Sequence, residues 1–166
     1  MAGGREVVVP LNCYIRMFRS RLLPIIATRD WHPSNHCSFR DQGGPWPPHC
    51  VQGTYGAEFV TDLMLPDDIL VVSSATQANK EAYSGFENTE LDRHLRDIGA
   101  ERLFIGGLAT DYCVLATVKD GLALRYEVFL LADAVRAVNL HSEDGALAQA
   151  EMERLGAVAI RVSDLA

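Results

Sequence analysis

A chain of 166 residues fits one domain, and two independent cores would strain that length. Apolar residues make up 48% and charged residues 22%, a globular balance that argues against a disordered or fibrous protein. The net charge of −7 and isoelectric point near 5.1 argue against a nucleic-acid surface, which needs clustered Lys and Arg.

The first residues, Met-Ala-Gly-Gly-Arg-Glu, carry no apolar signal-peptide core. No apolar run approaches the roughly 18 residues that span a bilayer. The expectation is a soluble, cytoplasmic protein with no membrane and no nucleic-acid partner. A helix is predicted over 7–19, with Val7, Leu11, Tyr14 and Phe18 on one stripe. The arginines between Arg16 and Arg21 read as its solvated face. Strands are expected at 22–28 (LLPIIAT), 69–74 (ILVVSS), 102–107 (RLFIGG), 127–132 (EVFLLA) and 158–162 (VAIRV). Their apolar character is nearly continuous, as in a parallel sheet covered on both faces. Helices are predicted between them over 89–98, 110–124 and 142–155, with Gly99 and Gly156 as stop signals. This alternation predicts a three-layer α/β/α sandwich with a mostly parallel sheet and right-handed crossovers.

One stretch breaks the rhythm. From Arg29 to Asp68 no long element is expected, and Pro33, Pro45, Pro47, Pro48, Gly43, Gly44, Gly53 and Gly56 interrupt it. A long irregular excursion in a compact domain is uncommon unless it does something. It opens with Asp30-Trp31-His32-Pro33-Ser34-Asn35-His36 and runs on to His49, so it holds three of the five histidines. Asp30 and His32, two apart at a strand end, point to one side. His36 can curl back and His49 can close the set. One carboxylate and up to three imidazoles form a mixed shell for one divalent ion, Zn first, with Fe or Mn also suited. Positions left open for water or substrate would mark a catalytic rather than a sealed site. Two other readings stand beside it. The histidines could bind nothing, or Cys37 and Cys50 could join them in a closed zinc knot, against which the spacing speaks.

Four cysteines, Cys13, Cys37, Cys50 and Cys113, are too scattered for a disulfide framework and read as free thiols. Cys113 stands apart, because strand 102–107 runs through Leu108-Ala109-Thr110-Asp111-Tyr112 into Cys113 at the start of a helix. Unpaired N–H groups and the helix dipole there lower a thiol's pKa and can hold an oxyanion. The plainer alternative is a buried core cysteine.

Together, TRDWHPSNHCSF, GGPWPPHCVQGT, KEAYSGFENTEL, GGLATDYCVLAT and VFLLADAVRA resemble the nicotinamidase (pyrazinamidase) family of isochorismatase-like cysteine hydrolases. The motifs fall in the family's order across nearly the whole chain, so a single domain over 1–166 is expected. The resemblance implies hydrolysis of nicotinamide to nicotinate and ammonia through a cysteine thioester, and a place in NAD salvage. It implies Cys113 as nucleophile, with the Ala109 and Cys113 amides as oxyanion hole. The Leu108–Ala109 bond falls where the family has a cis peptide. It implies Asp30, His32 and His49 as metal ligands, with His36 added in some members. Trp46, Tyr83 and Tyr112 fall at positions lining the pyridine pocket, although ordinary packing explains each aromatic as well. The expected partner is a small nicotinamide-like amide, and a homo-oligomer stays open.

The sequence departs from the family twice. The family's first strand carries an Asp-x-Gln motif whose aspartate takes the thiol proton. Here Gly3–Val7 aligns with the segment after that strand, so strand and aspartate are both expected to be missing. The family's triad lysine is replaced by Ser74, and Lys80 matches a noncatalytic position. An impaired amidohydrolase is therefore expected, since positioned acid–base catalysis supplies ~10²–10⁴-fold. A metal-containing protein that binds pyridines without turning them over is the alternative. A third reading makes Met1 internal to a longer protein.

Overall fold

The computed structural model describes residue 1 and residues 3–165, and its first element is not a strand. A 3₁₀ turn, Gly4–Val7, runs directly into helix α1, Val8–Ser20. The strands are β1 (Ile26–Asp30), β2 (Leu70–Ser74), β3 (Arg102–Leu108), β4 (Glu127–Arg136) and β5 (Val158–Ile160). Helices α2 (Leu91–Asp97), α3 (Leu115–Ala123) and α4 (Asp144–Arg154) lie between them. Every strand pairing is parallel. Among the described residues, no helix is long and apolar enough to cross a membrane.

The strands do not form one sheet. β1 pairs with β2, and β3, β4 and β5 pair in that order, as two separate sheets. Both sheets share one core, in which Ile26 and Val72 meet Leu103, Ile105, Val118, Val128 and Leu130. The other face of β4 is covered by α1: Tyr14 packs with Leu131 and Ala134, and Phe18 meets Phe104 edge-on at 4.9 Å. Helices on both faces of parallel strands make the α/β/α layering that the apolar runs predicted.

β4 explains how one strand serves both layers. Ile105 pairs with Leu130 but Gly107 pairs with Val135, so β4 bulges between these points. Side-chain alternation changes phase across the bulge: Leu130 and Val135 enter the shared core, while Leu131 and Ala134 face α1. Asp133, inside the bulge, accepts hydrogen bonds from Tyr14 (2.8 Å) and the Val162 amide (3.0 Å), which ties α1 and the C-terminal segment to β4.

Two predicted stops end helices by one mechanism. Gly99 (φ +66) follows α2, with Ala100 N–H bonded to Leu95 O at 2.9 Å. Gly156 (φ +112) follows α4, with Ala157 N–H bonded to Met152 O at 3.0 Å. Both are Schellman closures that need a left-handed residue. α1 ends the same way with Leu22 (φ 56) in that role, as Leu23 N–H reaches Phe18 O at 3.0 Å. That closure takes up the residues before Ile26, so β1 starts later than its apolar run suggests.

Candidate active site

Asp30, His32 and His49 converge beyond the C-terminal end of β1, with one ligand atom from each lying within 4.8 Å of the others. The backbone brings them together. His32 N–H bonds to Cys50 O (2.9 Å) and Gln52 N–H to His32 O (2.8 Å), a short parallel bridge that returns the chain beside His32. Inside the loop, Arg40 N–H bonds to Trp46 O (2.7 Å) and Trp46 N–H to Ser38 O (3.0 Å). A Cβ on Gly44 would overlap the Ser38 carbonyl group, so only glycine permits this crossing. Phe39, 1% exposed, is the apolar anchor, its ring 5.4 Å from His32, 5.8 Å from His36 and 5.6 Å from His49.

The hydrogen bonds fix what each imidazole offers. His32 Nδ1 lies 3.0 Å from His49 O and His49 Nδ1 lies 2.8 Å from Pro47 O. A carbonyl only accepts, so both Nδ1 atoms carry the proton and both Nε2 lone pairs are free. Burial also holds His32 below the usual imidazole range, which keeps that lone pair available. With the Asp30 carboxylate, these are donors suited to zinc, oriented by carbonyls as metal-binding histidines usually are.

His36 departs from the set. Its ring is 4.4 Å from that of His32, and it groups with His32 and Glu81 rather than with Asp30 and His49. Its Nδ1 accepts from Ser38 Oγ (2.8 Å) and the Ser38 amide (3.3 Å), and its Nε2 donates to Lys80 O (3.0 Å). With both nitrogens engaged, the fully buried His36 fastens the loop to the Lys80 segment. Among the described residues, neither Cys37 nor Cys50 joins a group of donors, which leaves the zinc-knot reading without geometry.

Ser74, where a lysine was expected, is buried at the end of β2, and its Oγ lies 3.3 Å from both Asp30 Oδ1 and Arg29 O. It therefore contacts the carboxylate that groups with His32 and His49. The next residue, Ala75, and Cys50 after His49 hold left-handed backbone (φ 52 and 47). Each position costs ~1–3 kcal/mol, and both turn the chain sharply beside the site.

The second half of the site belongs to the other sheet. β3 ends at Leu108, the Leu108–Ala109 peptide is cis, and residues Thr110–Val114 form a single π turn ahead of α3. The Ala109 and Cys113 amides both approach the Cys113 sulfur and favour its thiolate. The expectation of a lowered pKa nevertheless fails. Burial, then the negative charge of Asp30, pushes the thiol up to about 12. Helix-end effects of ~0.3–1 kcal/mol are too small to reverse that.

Next to the thiol stands an aromatic cluster. Trp46 Nε1–H donates to Tyr83 OH (3.0 Å), the Trp46 and Tyr112 rings meet edge-on at 5.0 Å, and Tyr83 lies 5.7 Å from Tyr112. Trp46 is also 6.4 Å from His49, so the cluster reaches from the thiol to the grouped donors Asp30, His32 and His49. Sequence reasoning missed the residues that hold these parts. Thr117 accepts from the Gly85 amide (2.9 Å) and donates to Cys113 O (2.7 Å), clamping the Tyr83 loop to the turn that carries Cys113. Asp111 accepts from the Val138 and Asn139 amides at 2.9 and 2.8 Å. Its first-turn position was a readable signal, whereas Thr117 and Phe39 carry none in the linear sequence.

The isochorismatase domain family matches residues 1–164. The nicotinamidase of Escherichia coli is 36% identical over 182 residues, covering 97% of this chain and 85% of the relative. The nicotinamidase of Acinetobacter baylyi is 34% identical, covering 98% and 83%. Among solved structures, the pyrazinamidase of Pyrococcus horikoshii in complex with zinc superposes with a TM-score of 0.91 at 49% identity, covering 95% of this chain and 86% of that one. On the match to the family and to these relatives, the chain belongs to the isochorismatase-like hydrolases, in their nicotinamidase branch.

Proposed function

We propose that the chain is an amidohydrolase of the nicotinamidase type, acting on a pyridine carboxamide, and that its turnover is slow. The observation that carries this reading is the thiol of Cys113, faced by two backbone amides beside the Trp46–Tyr83–Tyr112 cluster. A planar pyridine ring packs against these aromatic faces, which orients its carboxamide toward the sulfur. Cys113 Sγ attacks the amide carbon, and the Ala109 and Cys113 N–H groups hold the oxygen that becomes negative. The thiol proton passes to the amide nitrogen, the C–N bond breaks and ammonia leaves; water then cleaves the thioester C–S bond, releasing the carboxylic acid and returning a proton to sulfur. Asp30, His32 and His49 would hold a divalent ion, which when bound supplies a Lewis acid that polarises oxygen ligands.

Slow turnover follows from the thiol's surroundings. Among the described residues, the charged group acting on Cys113 is the anionic Asp30, and Ser74 supplies no cation. The test is ammonia release from nicotinamide, with metal content measured on the same sample. Very slow release that disappears in Cys113→Ala supports the reading. Robust turnover by the unmodified chain would overturn the slowness, and release that survives Cys113→Ala would overturn the nucleophile. A second reading, a pyridine-binding protein without turnover, is favoured by the high thiol pKa. Saturable quenching of Trp46 fluorescence by nicotinamide with no ammonia released would select it.

A further inference from the structure

The turn that carries Cys113 is anchored from outside by one carboxylate. Thr110–Val114 form a π turn, an uncommon backbone state, and no side chain caps it at Ala109. Inside the turn, the Ala109 carbonyl accepts from the Tyr112 amide at 3.1 Å and the Val114 amide at 3.0 Å. The Asp111 side chain bonds elsewhere. Its Oδ1 accepts from the Val138 amide at 2.9 Å and its Oδ2 from the Asn139 amide at 2.8 Å, 27 and 28 residues further along the chain.

The far end of this anchor is itself fixed. Two successive amides that converge on one carboxylate form a nest, here with Asn139 in left-handed backbone (φ 54). Asn139 Oδ1 in turn accepts from the Gly145 amide at 2.8 Å, in the first turn of α4. A Cβ on Gly145 would lie 2.6 Å from Ala137 Cβ and 3.1 Å from Asn139 Oδ1, so glycine permits this approach. One side chain therefore ties the π turn to the segment after β4 and, through Asn139, to the start of α4.

Asp111 stands between Ala109 and Cys113, whose amides both approach the sulfur. A turn free to rotate would carry the thiol and both donors out of line with a substrate carbonyl together. Most of the aromatic pocket would stay in place. Trp46 and Tyr83 come from other segments and are joined by their own 3.0 Å bond, and only Tyr112 belongs to the turn. We propose that Asp111 is a positioning residue for attack by Cys113, holding the π turn so that the sulfur meets the carbonyl carbon while the two amides meet its oxygen. This rests on the nucleophile reading above, which gives Asp111 no part. It separates binding from reaction: loss of Asp111 damages the attack and spares most of the pocket.

The probe is pyridine-3-carbaldehyde, compared with nicotinamide on the full chain. Cys113 Sγ adds to the aldehyde carbon, the C–O π bond opens onto oxygen and the thiol proton passes to that oxygen, giving a hemithioacetal with no leaving group. Its affinity reports the geometry of attack without depending on turnover, and a ¹³C label on the aldehyde carbon shows the adduct by NMR. Asp111→Ala should weaken the aldehyde about 10²-fold. Nicotinamide should weaken less than about fivefold, since one face of the pocket is disturbed. Asp111→Asn keeps one acceptor and turns an N–H against the other amide, so it should show the same split; it decides the matter if Asp111→Ala does not fold. Asp111→Glu, which restores the carboxylate, should recover most of the loss. Tyr14→Phe, which cuts the 2.8 Å bond to Asp133 on the other face of β4, should lower thermal stability and leave the ratio of the two affinities unchanged. Equal weakening of both ligands, no weakening of the aldehyde, or no recovery in Asp111→Glu would overturn the proposal. An aldehyde held equally well by Cys113→Ala would overturn the nucleophile reading and this inference with it, an outcome distinct from failure at Asp111 alone.

Discussion

Ser74 places its hydroxyl 3.3 Å from Asp30 Oδ1, so the residue that replaces the family's triad lysine touches the carboxylate grouped with His32 and His49. The same oxygen lies 3.3 Å from Arg29 O, and its one proton is shared between two acceptors. Partners of ligand carboxylates typically contribute ~10–100-fold to metal affinity, and a long, shared bond belongs at the low end. Ser74→Ala should therefore weaken zinc binding by about tenfold or less, measured by competition with a chelator. Ser74→Lys should raise ammonia release little, since it brings a charge but no proton acceptor. A large gain from that one change would mean that the cation alone was limiting.

The two kinds of histidine should separate cleanly. His49→Ala should abolish stoichiometric zinc with a small change in stability. His36→Ala should keep the zinc but cost about 2–3 kcal/mol, because the Lys80 carbonyl and Ser38 amide lose a buried partner. For a chain of this size that is a fall in Tm of roughly 5–10 °C. Metal analysis with thermal unfolding of both variants decides it, and loss of zinc in His36→Ala would return that residue to the ligand set.

Cys113 should be a sluggish thiol. With its pKa pushed up to about 12, roughly 1 in 10⁴ molecules carries the thiolate at pH 8. The stronger intrinsic nucleophilicity of a high-pKa thiolate offsets part of this, leaving alkylation about 100-fold slower than for a free thiol. Labelling by iodoacetamide should accelerate steadily from pH 8 to 11, since raising the pH populates the anion. Zinc should accelerate it at fixed pH, because an ion on Asp30 cancels part of the charge that disfavours the thiolate. Mass spectrometry of the Cys113 peptide reads both effects, and labelling that is already maximal at pH 8 would contradict the raised pKa.

Thr117 should matter through its hydroxyl and not its shape. Thr117→Val removes the acceptor for the Gly85 amide and the donor to Cys113 O, at a cost of about 1–2 kcal/mol. Nicotinamide binding, read from Trp46 fluorescence, should weaken several-fold as the Tyr83 loop loosens. Thr117→Ser should restore both stability and binding. If it restores neither, the methyl group and not the clamp is what counts.

The elements were legible wherever a local signal decides them. Continuous apolar runs marked all five strands, and Gly99 and Gly156 marked two helix ends, because pattern and left-handed closure are properties of neighbouring residues. β1 was shifted because Leu22 closes α1 without a glycine to announce it. The division into two sheets depends on which strands find partners, and no window of sequence contains that. At the site, the grouping of Asp30, His32 and His49 was readable from residue type and position after a strand. The part played by His36 was not, since identical imidazoles become ligand or scaffold according to what their nitrogens meet. The thiol was misjudged for a similar reason: helix position is visible in the sequence, but the burial of Cys113 and its exposure to Asp30 are not.

The bridge between His32 and Val51 closes the long loop on itself. Its entrance and exit are neighbours, so the intervening chain is already a closed ring whose ends are fastened to each other at the tip of one strand. Changes in its outer reaches, around Ser34–Asn35 or Asp41–Gly43, would pass little strain to the sheet. Two of the three ligands, His32 and His49, travel within the ring or on its rim, and Asp30 sits two residues before it. The Cys37–Ala78 and His36–Lys80 bonds pin the ring a second time, to the segment after β2, so the spacing of these three side chains is held from two sides.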